Sequence, residues 1–235
     1  LTIFKAAEAQ MFGIIVGLKE GQFAILTALK FKKELESVGK SVQLFALTDI
    51  TDDRLKNFKD VDVYIPTDGE IGFSNLVEKA LQVNTKEMRS KVLQEPIDGC
   101  MIKNPDGDLL YTIEGTRIRN LDEIPSPYLT GILDHFFDDK LVPMLQTNRG
   151  CPFLCTFCTD GRESVNQVNR FGKQRVKDEL DYIAKHVKED IHSLYISDLN
   201  FGMLPGDLET CDSIVEIQKK YNYPERINAT TGKNN

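Results

Sequence analysis

The sequence predicts an α/β protein, in which a small N-terminal layer is followed by the first half of a parallel β/α barrel. Two stretches of alternating strand and helix patterns support this prediction, one before residue 95 and one after residue 136. Between them, turn residues at 104–107 and the prolines Pro125 and Pro127 interrupt the alternation. A chain of 235 residues, 41% hydrophobic and 28% charged, is long enough for such a two-part organisation.

Residues 1–95 are predicted to form a Rossmann-like layer. Runs of β-branched residues indicate strands, and apolar residues at spacings of three and four indicate helices. Gly39 stands where the C-terminal cap of the first helix belongs. The strands are expected at 11–17, 41–47 and 61–66, and the helices at 24–38, at 49–58 and from residue 67 onward.

Residues 96–135 are predicted to be a β-hairpin and a linker. The hairpin spans 97–113, because proline and glycine at its centre favour a tight turn between two β-like runs. The linker covers 121–131, and we place the domain boundary near residue 120. Cys100, in the first arm of the hairpin, is expected to be a small apolar residue of the core.

Residues 136–235 are predicted to be the N-terminal part of a truncated barrel. From Cys151 to the end the chain has 85 residues, whereas an eight-stranded barrel takes about 250, so the chain is expected to be a fragment. The strands are expected at 141–147, 193–197 and 227–231. Two apolar stripes indicate the helices between them, formed by Val176, Leu180, Ile183, Ala184 and Val187 and by Leu208, Cys211, Val215 and Gln218.

Three cysteines, Cys151, Cys155 and Cys158, follow the first of these strands in a C-x₃-C-x₂-C arrangement. Thiolates hold iron–sulfur clusters or zinc, and both usually take four ligands. The loop has no fourth cysteine or histidine, so one metal position is left for a small molecule. Gly150 and Pro152 suit the bend that three ligands around one centre require. The alternatives are a structural zinc knuckle and a chance cluster, and the odd count of five cysteines argues against disulfides.

The cysteine run closely resembles the radical S-adenosylmethionine (SAM) superfamily. In that family the three cysteines bind three irons of a [4Fe-4S] cluster, and SAM binds the fourth. The resemblance implies that Cys151, Cys155 and Cys158 are the cluster ligands and that the barrel is a partial TIM barrel. It also implies that one electron, from a reductant such as flavodoxin or ferredoxin, cleaves SAM to a 5′-deoxyadenosyl radical. Methyl transfer or another C–H functionalisation of a small-molecule or unidentified substrate is expected to follow. The sequence does not identify catalytic residues for that step.

Four further residues are candidates for binding SAM. Phe157 matches the family position that packs beside the adenine. Asp198 and Asn200 follow the second predicted strand, where the family carries groups that hold the SAM amino group; an Asx turn is the equally weighted alternative. Thr231, at the end of the third strand, is a weaker candidate for the ribose or the substrate.

The segment 67–78 and the linker resemble the cobalamin-associated type of radical SAM protein. There a G-E-G-E-like turn precedes a helix that begins F-x-N-L-V, and here Thr67 and Asp68 replace the first Gly-Glu pair. The D-x-H-x-x-G motif, which supplies the axial histidine of cobalamin, is absent because no histidine precedes His135. Cobalamin is therefore expected only in a mode without that histidine, or with a histidine from an upstream portion.

A second resemblance covers residues 11–65, which are similar to the C-terminal domain of the catalytic subunit of archaeal-type diphthamide synthase. That enzyme also cleaves SAM on a [4Fe-4S] cluster, but it takes its cysteines from separate domains. The similarity ends before any cysteine of this chain, so it implies no site residue. The alternatives to a radical SAM enzyme are thus a diphthamide-synthase-like enzyme and a non-catalytic metal-binding module.

The charge pattern bears on partners and location. The net charge is −7, and basic residues are interspersed with acidic ones, so no nucleic-acid partner is expected. No apolar run approaches the roughly 20 residues of a membrane span, and no signal peptide is recognisable. The sequence therefore predicts a cytoplasmic protein without a membrane partner.

Overall fold

A computed structural model describes residues 46–48, 61–65, 68–83, 88–111, 117–158, 163 and 166–232. The chain divides into two compact units, Leu1–Arg117 and Ile118–Asn235. The strand expected at 11–17 and the helices expected at 24–38 and 49–58 lie outside the described residues. No helix among the residues that are described is long and apolar enough to cross a membrane.

The first unit contains a mixed sheet. Its strands β1 and β2 are parallel, and the predicted hairpin, formed by β3 and β4, continues the same sheet in antiparallel fashion next to β2. The hairpin that the sequence sets apart from the N-terminal layer is therefore hydrogen-bonded to it. The elements are β1 (Ala46–Thr48), β2 (Val63–Ile65), α1 (Gly69–Val83), α2 (Met88–Val92), β3 (Met101–Lys103) and β4 (Leu109–Tyr111).

Helix α1 packs closely on the turn before β3. A side chain at Gly72 would collide with the carbonyl oxygen of Gly99, which explains why α1 carries glycine there. Cys100 lies in the core of this unit at 2% exposure, and its Sγ is 3.2 Å from the carbonyl oxygen of Gly72. Burial raises the pKa of the Cys100 thiol to about 12, so the expectation of an apolar core residue is confirmed.

The second unit is built on a parallel sheet. Strand β8 lies between β5 and β9 and is parallel to both, as the strand, helix, strand pattern predicts. Helices α3 and α4 pack against each other and on this sheet, where they bury the core. The elements are β5 (Met144–Leu145), β6 (Asn148–Arg149), β7 (Asn169–Arg170), α3 (Lys173–His186), β8 (Ser193–Ile196), α4 (Asp207–Tyr221) and β9 (Arg226–Ala229).

Strand β5 is held on its outer side by a tyrosine from the predicted linker. The Tyr128 hydroxyl donates to the carbonyl oxygen of Met144 at 2.7 Å and accepts from the Met144 N–H at 3.0 Å. On its inner side β5 is bonded to β8, whose residues donate to the carbonyls of Pro143 and Leu145. The Tyr128 ring is 8% exposed and belongs to the core of this unit, so the predicted linker is packed structure.

The two helices differ in how well their buried sides were predicted. Val176, Leu180 and Ile183 of α3 are buried, as expected. In α4 the expected stripe is wrong by about one residue, because Leu208 is 81% exposed and Ile214 and Ile217 are buried in its place.

The rotation of α4 about its own axis, which decides its buried side, is set by its first residue. The buried Asp207 accepts hydrogen bonds from the N–H groups of Gly202 and Leu204 and pairs with Arg170 at 2.7 Å. This polar anchor turns Leu208 outward and leaves Cys211 half-buried.

Candidate functional site

The three predicted cysteines lie on one loop that follows the first strand of the parallel sheet. The loop is closed at its base by β6 and β7, which pair antiparallel between residues on either side of the cysteines. Phe171 N–H donates to the Thr147 carbonyl at 3.0 Å, and Asn169 Nδ2 donates to the Ile118 carbonyl at 3.0 Å. The cysteines are therefore held on a closed loop rather than on an open connection.

Gly150 makes the bend that precedes the first cysteine. Its φ of 109° lies in the left-handed region that favours glycine, so the predicted role of this residue in bending the chain is confirmed. Directly after it, the Cys151 side chain is turned inward and is only 9% exposed.

A buried carboxylate anchors the start of the loop. Both oxygens of Asp198, which is 1% exposed, accept hydrogen bonds from Thr147 and Asn148. Its Oδ1 accepts from the N–H groups of Thr147 at 2.7 Å and Asn148 at 3.3 Å. Its Oδ2 accepts from Asn148 Nδ2 at 2.8 Å and from the Thr147 hydroxyl in a very short bond. Burial raises the pKa of Asp198, against the opposing effect of the hydrogen bonds from Thr147 and Asn148.

The predicted site residue Asn200 lies against the first cysteine. Its Nδ2 is 3.2 Å from Cys151 Sγ, and Asn200 is itself 6% exposed. The segment 198–200, which follows β8, thus contacts the cysteine loop at two points. The carboxyl ends of neighbouring parallel strands meet at one edge of a sheet, which explains the contact.

The tip of the loop is much more open than its start. Cys155 is half-buried and Cys158 is exposed, and the turn between them has one hydrogen bond, from Cys158 N–H to the Cys155 carbonyl at 3.1 Å. Phe157, predicted to lie beside an adenine, is 91% exposed. Such a ring is available to pack against a ligand.

The three sulfur atoms do not form a ready-made metal site. Among the described residues, no group of three His, Cys, Asp or Glu side chains is arranged to hold a metal ion. The donor set nevertheless fits an iron–sulfur cluster in its chemistry, because three thiols on one closed loop are the ligands that such clusters take. The free energy of metal binding commonly contributes to the folding of the loop that holds the metal. We therefore expect the three sulfur atoms to converge when the cluster binds.

The last predicted site residue, Thr231, is exposed beyond the end of β9. The neighbouring Thr230 carbonyl accepts a hydrogen bond from the Phe201 N–H at 2.9 Å. This bond connects the end of β9 to the segment that follows β8. The predicted residues Cys151, Asn200 and Thr231 therefore follow three neighbouring strands of one sheet.

Sequence reasoning did not single out Thr147 and Asn148. Both are 2% exposed, and Asn148 Oδ1 is buried without a hydrogen-bond partner among the described residues. Two polar residues between a buried strand and a cysteine were a signal for a buried polar network. The acceptor, Asp198, lies 51 residues from Thr147 and could not be identified from sequence spacing.

Curated relatives cover most of this chain. It is 28% identical over 180 residues to the cobalamin-dependent radical SAM methyltransferase TokK of Streptomyces tokunonensis. It is also 28% identical over 180 residues to a 2-(S-pantetheinyl)-carbapenam-3-carboxylate methyltransferase of Streptantibioticus cattleyicolor. Each match covers 74% of this chain and 25% of the relative, so the chain spans about a quarter of the length of these relatives.

Solved structures show a similar fold. The apo form of the cobalamin-dependent SAM radical enzyme OxsB matches with a TM-score of 0.67 and 17% identity, over 96% of this chain and 30% of that chain. The radical SAM methyltransferase TsrM from Kitasatospora setae, with cobalamin and a [4Fe-4S] cluster bound, matches with a TM-score of 0.59 and 12% identity, over 93% of this chain and 44% of that chain.

A family model matches the N-terminal part. Residues 1–67 match the model of diphthamide synthesis proteins, in agreement with the second resemblance seen in the sequence. The first resemblance is confirmed, because TokK is named a cobalamin-dependent radical SAM methyltransferase and the second curated relative a methyltransferase, and this chain matches each over part of its length.

Proposed function

We propose that this chain is part of a radical SAM enzyme that carries out a methylation. The cysteine loop carries the proposal, since a C-x₃-C-x₂-C triplet lies on a closed loop at the carboxyl end of the first parallel strand. The curated relatives that match 74% of the chain are methyltransferases, and TokK is named as a radical SAM enzyme. We propose that residues 1–95 form a Rossmann-like layer whose sheet is continued by the hairpin, and that the first half of a partial TIM barrel begins at residue 136.

Cys151, Cys155 and Cys158 would hold a [4Fe-4S] cluster. The chemistry supplied there would be the one-electron reductive cleavage of a C–S bond of SAM to methionine and a 5′-deoxyadenosyl radical. Asp198 holds the start of the loop through Thr147 and Asn148, so Cys151 is presented from a fixed backbone. The other two thiols would bind the cluster from the open tip, where the exposed Phe157 ring would be available to the adenine of SAM.

Cobalamin is the proposed third cofactor, as in the relatives whose names include it. The first unit would hold it in the region where α1 begins directly after β2. Residues 1–134 contain no histidine, so none of them can coordinate the cobalt through an imidazole. Hydroxocobalamin bound to this chain is therefore expected to give the spectrum of a complex without histidine coordination.

The proposal is tested with the whole chain reconstituted anaerobically with iron and sulfide. About four irons and four sulfides per chain are expected, with cleavage of SAM to 5′-deoxyadenosine on reduction. Replacement of Cys155 by alanine is expected to abolish both cluster binding and SAM cleavage. Cys211→Ala is the matched control, because Cys211 is half-buried on α4 and lies outside the loop. Retained SAM cleavage in Cys155→Ala would refute the assignment, and one zinc per chain would support a structural module instead.

A second candidate function rests on the match of residues 1–67 to diphthamide synthesis proteins. By resemblance, such an enzyme breaks a different C–S bond of SAM and yields a 3-amino-3-carboxypropyl radical. The remaining product is then methylthioadenosine, so product analysis of the same reaction distinguishes the two functions. Methyl donation from SAM, in contrast, leaves S-adenosylhomocysteine.

A further inference from the structure

One cysteine of the loop has a side-chain hydrogen-bond donor. Asn200 Nδ2 lies 3.2 Å from Cys151 Sγ, and both residues are buried. No side chain in the described part of the chain donates to the sulfur of Cys155 or Cys158, which lie at the open tip. The three thiols are therefore unequal in their surroundings.

The donor and the acceptor are held by separate parts of the fold. The Asn200 carbonyl accepts from Met203 N–H at 3.2 Å, and the next residue, Phe201, is bonded to the strand end beyond β9. A Cβ atom at Gly232 would lie 3.2 Å from Asn200 Oδ1, so the amide oxygen lies beside the segment that follows β9. Cys151 is held from the other side by the bonds of Thr147 and Asn148 to Asp198.

We propose that Asn200 is a positioning residue that donates its amide hydrogen bond to the Cys151 thiolate and raises the reduction potential of the bound cluster. This inference rests on the function proposed above. A thiolate bound to iron can only accept a hydrogen bond, so it selects the nitrogen end of the amide. Donation to a ligand sulfur draws negative charge from the cluster and favours its reduced, more negative state. Asn200 thereby acts through Cys151 rather than on SAM.

The reduction potential of the reconstituted whole chain tests the inference, measured by a redox titration followed by electron paramagnetic resonance. Asn200→Leu removes the donor and keeps the size of the side chain. At a fixed potential, the ratio of reduced to oxidised cluster is expected to fall about tenfold, which is 59 mV for a one-electron couple. Asn200→Asp keeps the shape, places a carboxylate oxygen against the sulfur, and is expected to lower the potential further.

Gln218→Leu is the matched control, because the Gln218 amide donates to the Pro224 carbonyl, outside the cysteine loop. Its potential is expected to equal that of the wild type. Four irons per chain with an unchanged potential in both Asn200 variants would overturn the inference while leaving the proposed function intact. If the wild type takes up no cluster, the proposed function fails and this inference fails with it. If Asn200→Leu does not fold, Asn200→Asp decides the outcome.

Discussion

The start and the tip of the cysteine loop are held in different ways. At the start, Cys151 is 9% exposed, lies against Asn200 and follows two residues that are bonded to a buried carboxylate. At the tip, Cys158 is exposed and Phe157 is 91% exposed. Folding alone therefore fixes the position of the first proposed ligand, Cys151. The other two, Cys155 and Cys158, are expected to become ordered when they bind the cluster.

The largest expected effect is at the start of the loop, in the variant Asp198→Ala. The substitution leaves four donors of Thr147 and Asn148 without their acceptor in a buried site. We expect the free energy of unfolding of the second unit to fall by about 3 kcal/mol, since each buried unsatisfied donor costs about 1–3 kcal/mol and such losses are not fully additive. Urea unfolding followed by circular dichroism measures this loss.

Asp138→Ala is the control for Asp198→Ala. Asp138 also accepts from two backbone N–H groups, those of Lys140 and Leu141, but in an exposed turn where water can replace it. The loss is expected to be clearly smaller than for Asp198→Ala. An equal loss of unfolding free energy in the two variants would show that the buried position of Asp198 at the start of the loop adds no stability over an exposed turn.

The next effect is a difference in pH dependence between two aspartates. Burial raises the pKa of Asp198, whereas hydrogen bonds from Lys185 and Lys220 hold the pKa of Asp181 far below its ordinary value of 3.8. A raised carboxyl pKa means that the folded state binds the proton more tightly than the unfolded state. The wild type is therefore expected to gain stability relative to Asp198→Asn as the pH falls from about 7 through the raised pKa toward the ordinary value.

For Asp181 the sign is reversed. Its lowered pKa contributes stability above the ordinary value, and that contribution is lost as the pH falls below it. The advantage of the wild type over Asp181→Asn is expected to shrink between about pH 5 and about pH 2. Urea unfolding of both variants across this range checks the signs, and parallel pH profiles would contradict them.

The smallest effect is expected at the tip, in Phe157→Ala. A ring that is 91% exposed contributes little to folding, so the free energy of unfolding is expected to change by less than about 0.5 kcal/mol. SAM affinity of the cluster-loaded chain is expected to fall by about 0.5–1.5 kcal/mol, the range for an aromatic contact. Isothermal titration calorimetry measures that affinity.

Phe137→Ala provides the contrast to the exposed ring. Phe137 packs against Tyr128 and Tyr182, with ring centroids 6.0 and 6.3 Å from its own, and is partly buried against the core of the second unit. Its loss is expected to destabilise the chain by about 2 kcal/mol without a specific change in SAM affinity. A larger stability loss in Phe157→Ala than in Phe137→Ala would show that the tip is packed in solution.

Local patterns in the sequence predicted the regular elements well where one apolar side decides the packing. The stripe of Val176, Leu180 and Ile183 gave the buried side of α3. In α4 the prediction failed, because the buried Asp207 and its pairing with Arg170 set the rotation of the helix. A polar anchor of this kind depends on a residue 37 positions away and has no local signature.

In the candidate site too, local features could be predicted, whereas contacts between residues far apart in the sequence could not. The spacing of the cysteines and the bend at Gly150 could be recognised from the loop itself. Strands β6 and β7 were missed because each has only two residues, and their pairing closes a long loop. The contact of Asn200 with Cys151 joins residues 49 positions apart, so only the arrangement of β5 next to β8 reveals it.

Tyr128 covers part of one edge of the parallel sheet. Its hydroxyl occupies both backbone groups of Met144 that face away from β8, so a further strand has no free partner at that residue of β5. On the opposite side, all four residues of β9 are exposed. At Met144, the Tyr128 phenol therefore fills the backbone hydrogen bonds that a neighbouring strand would otherwise make.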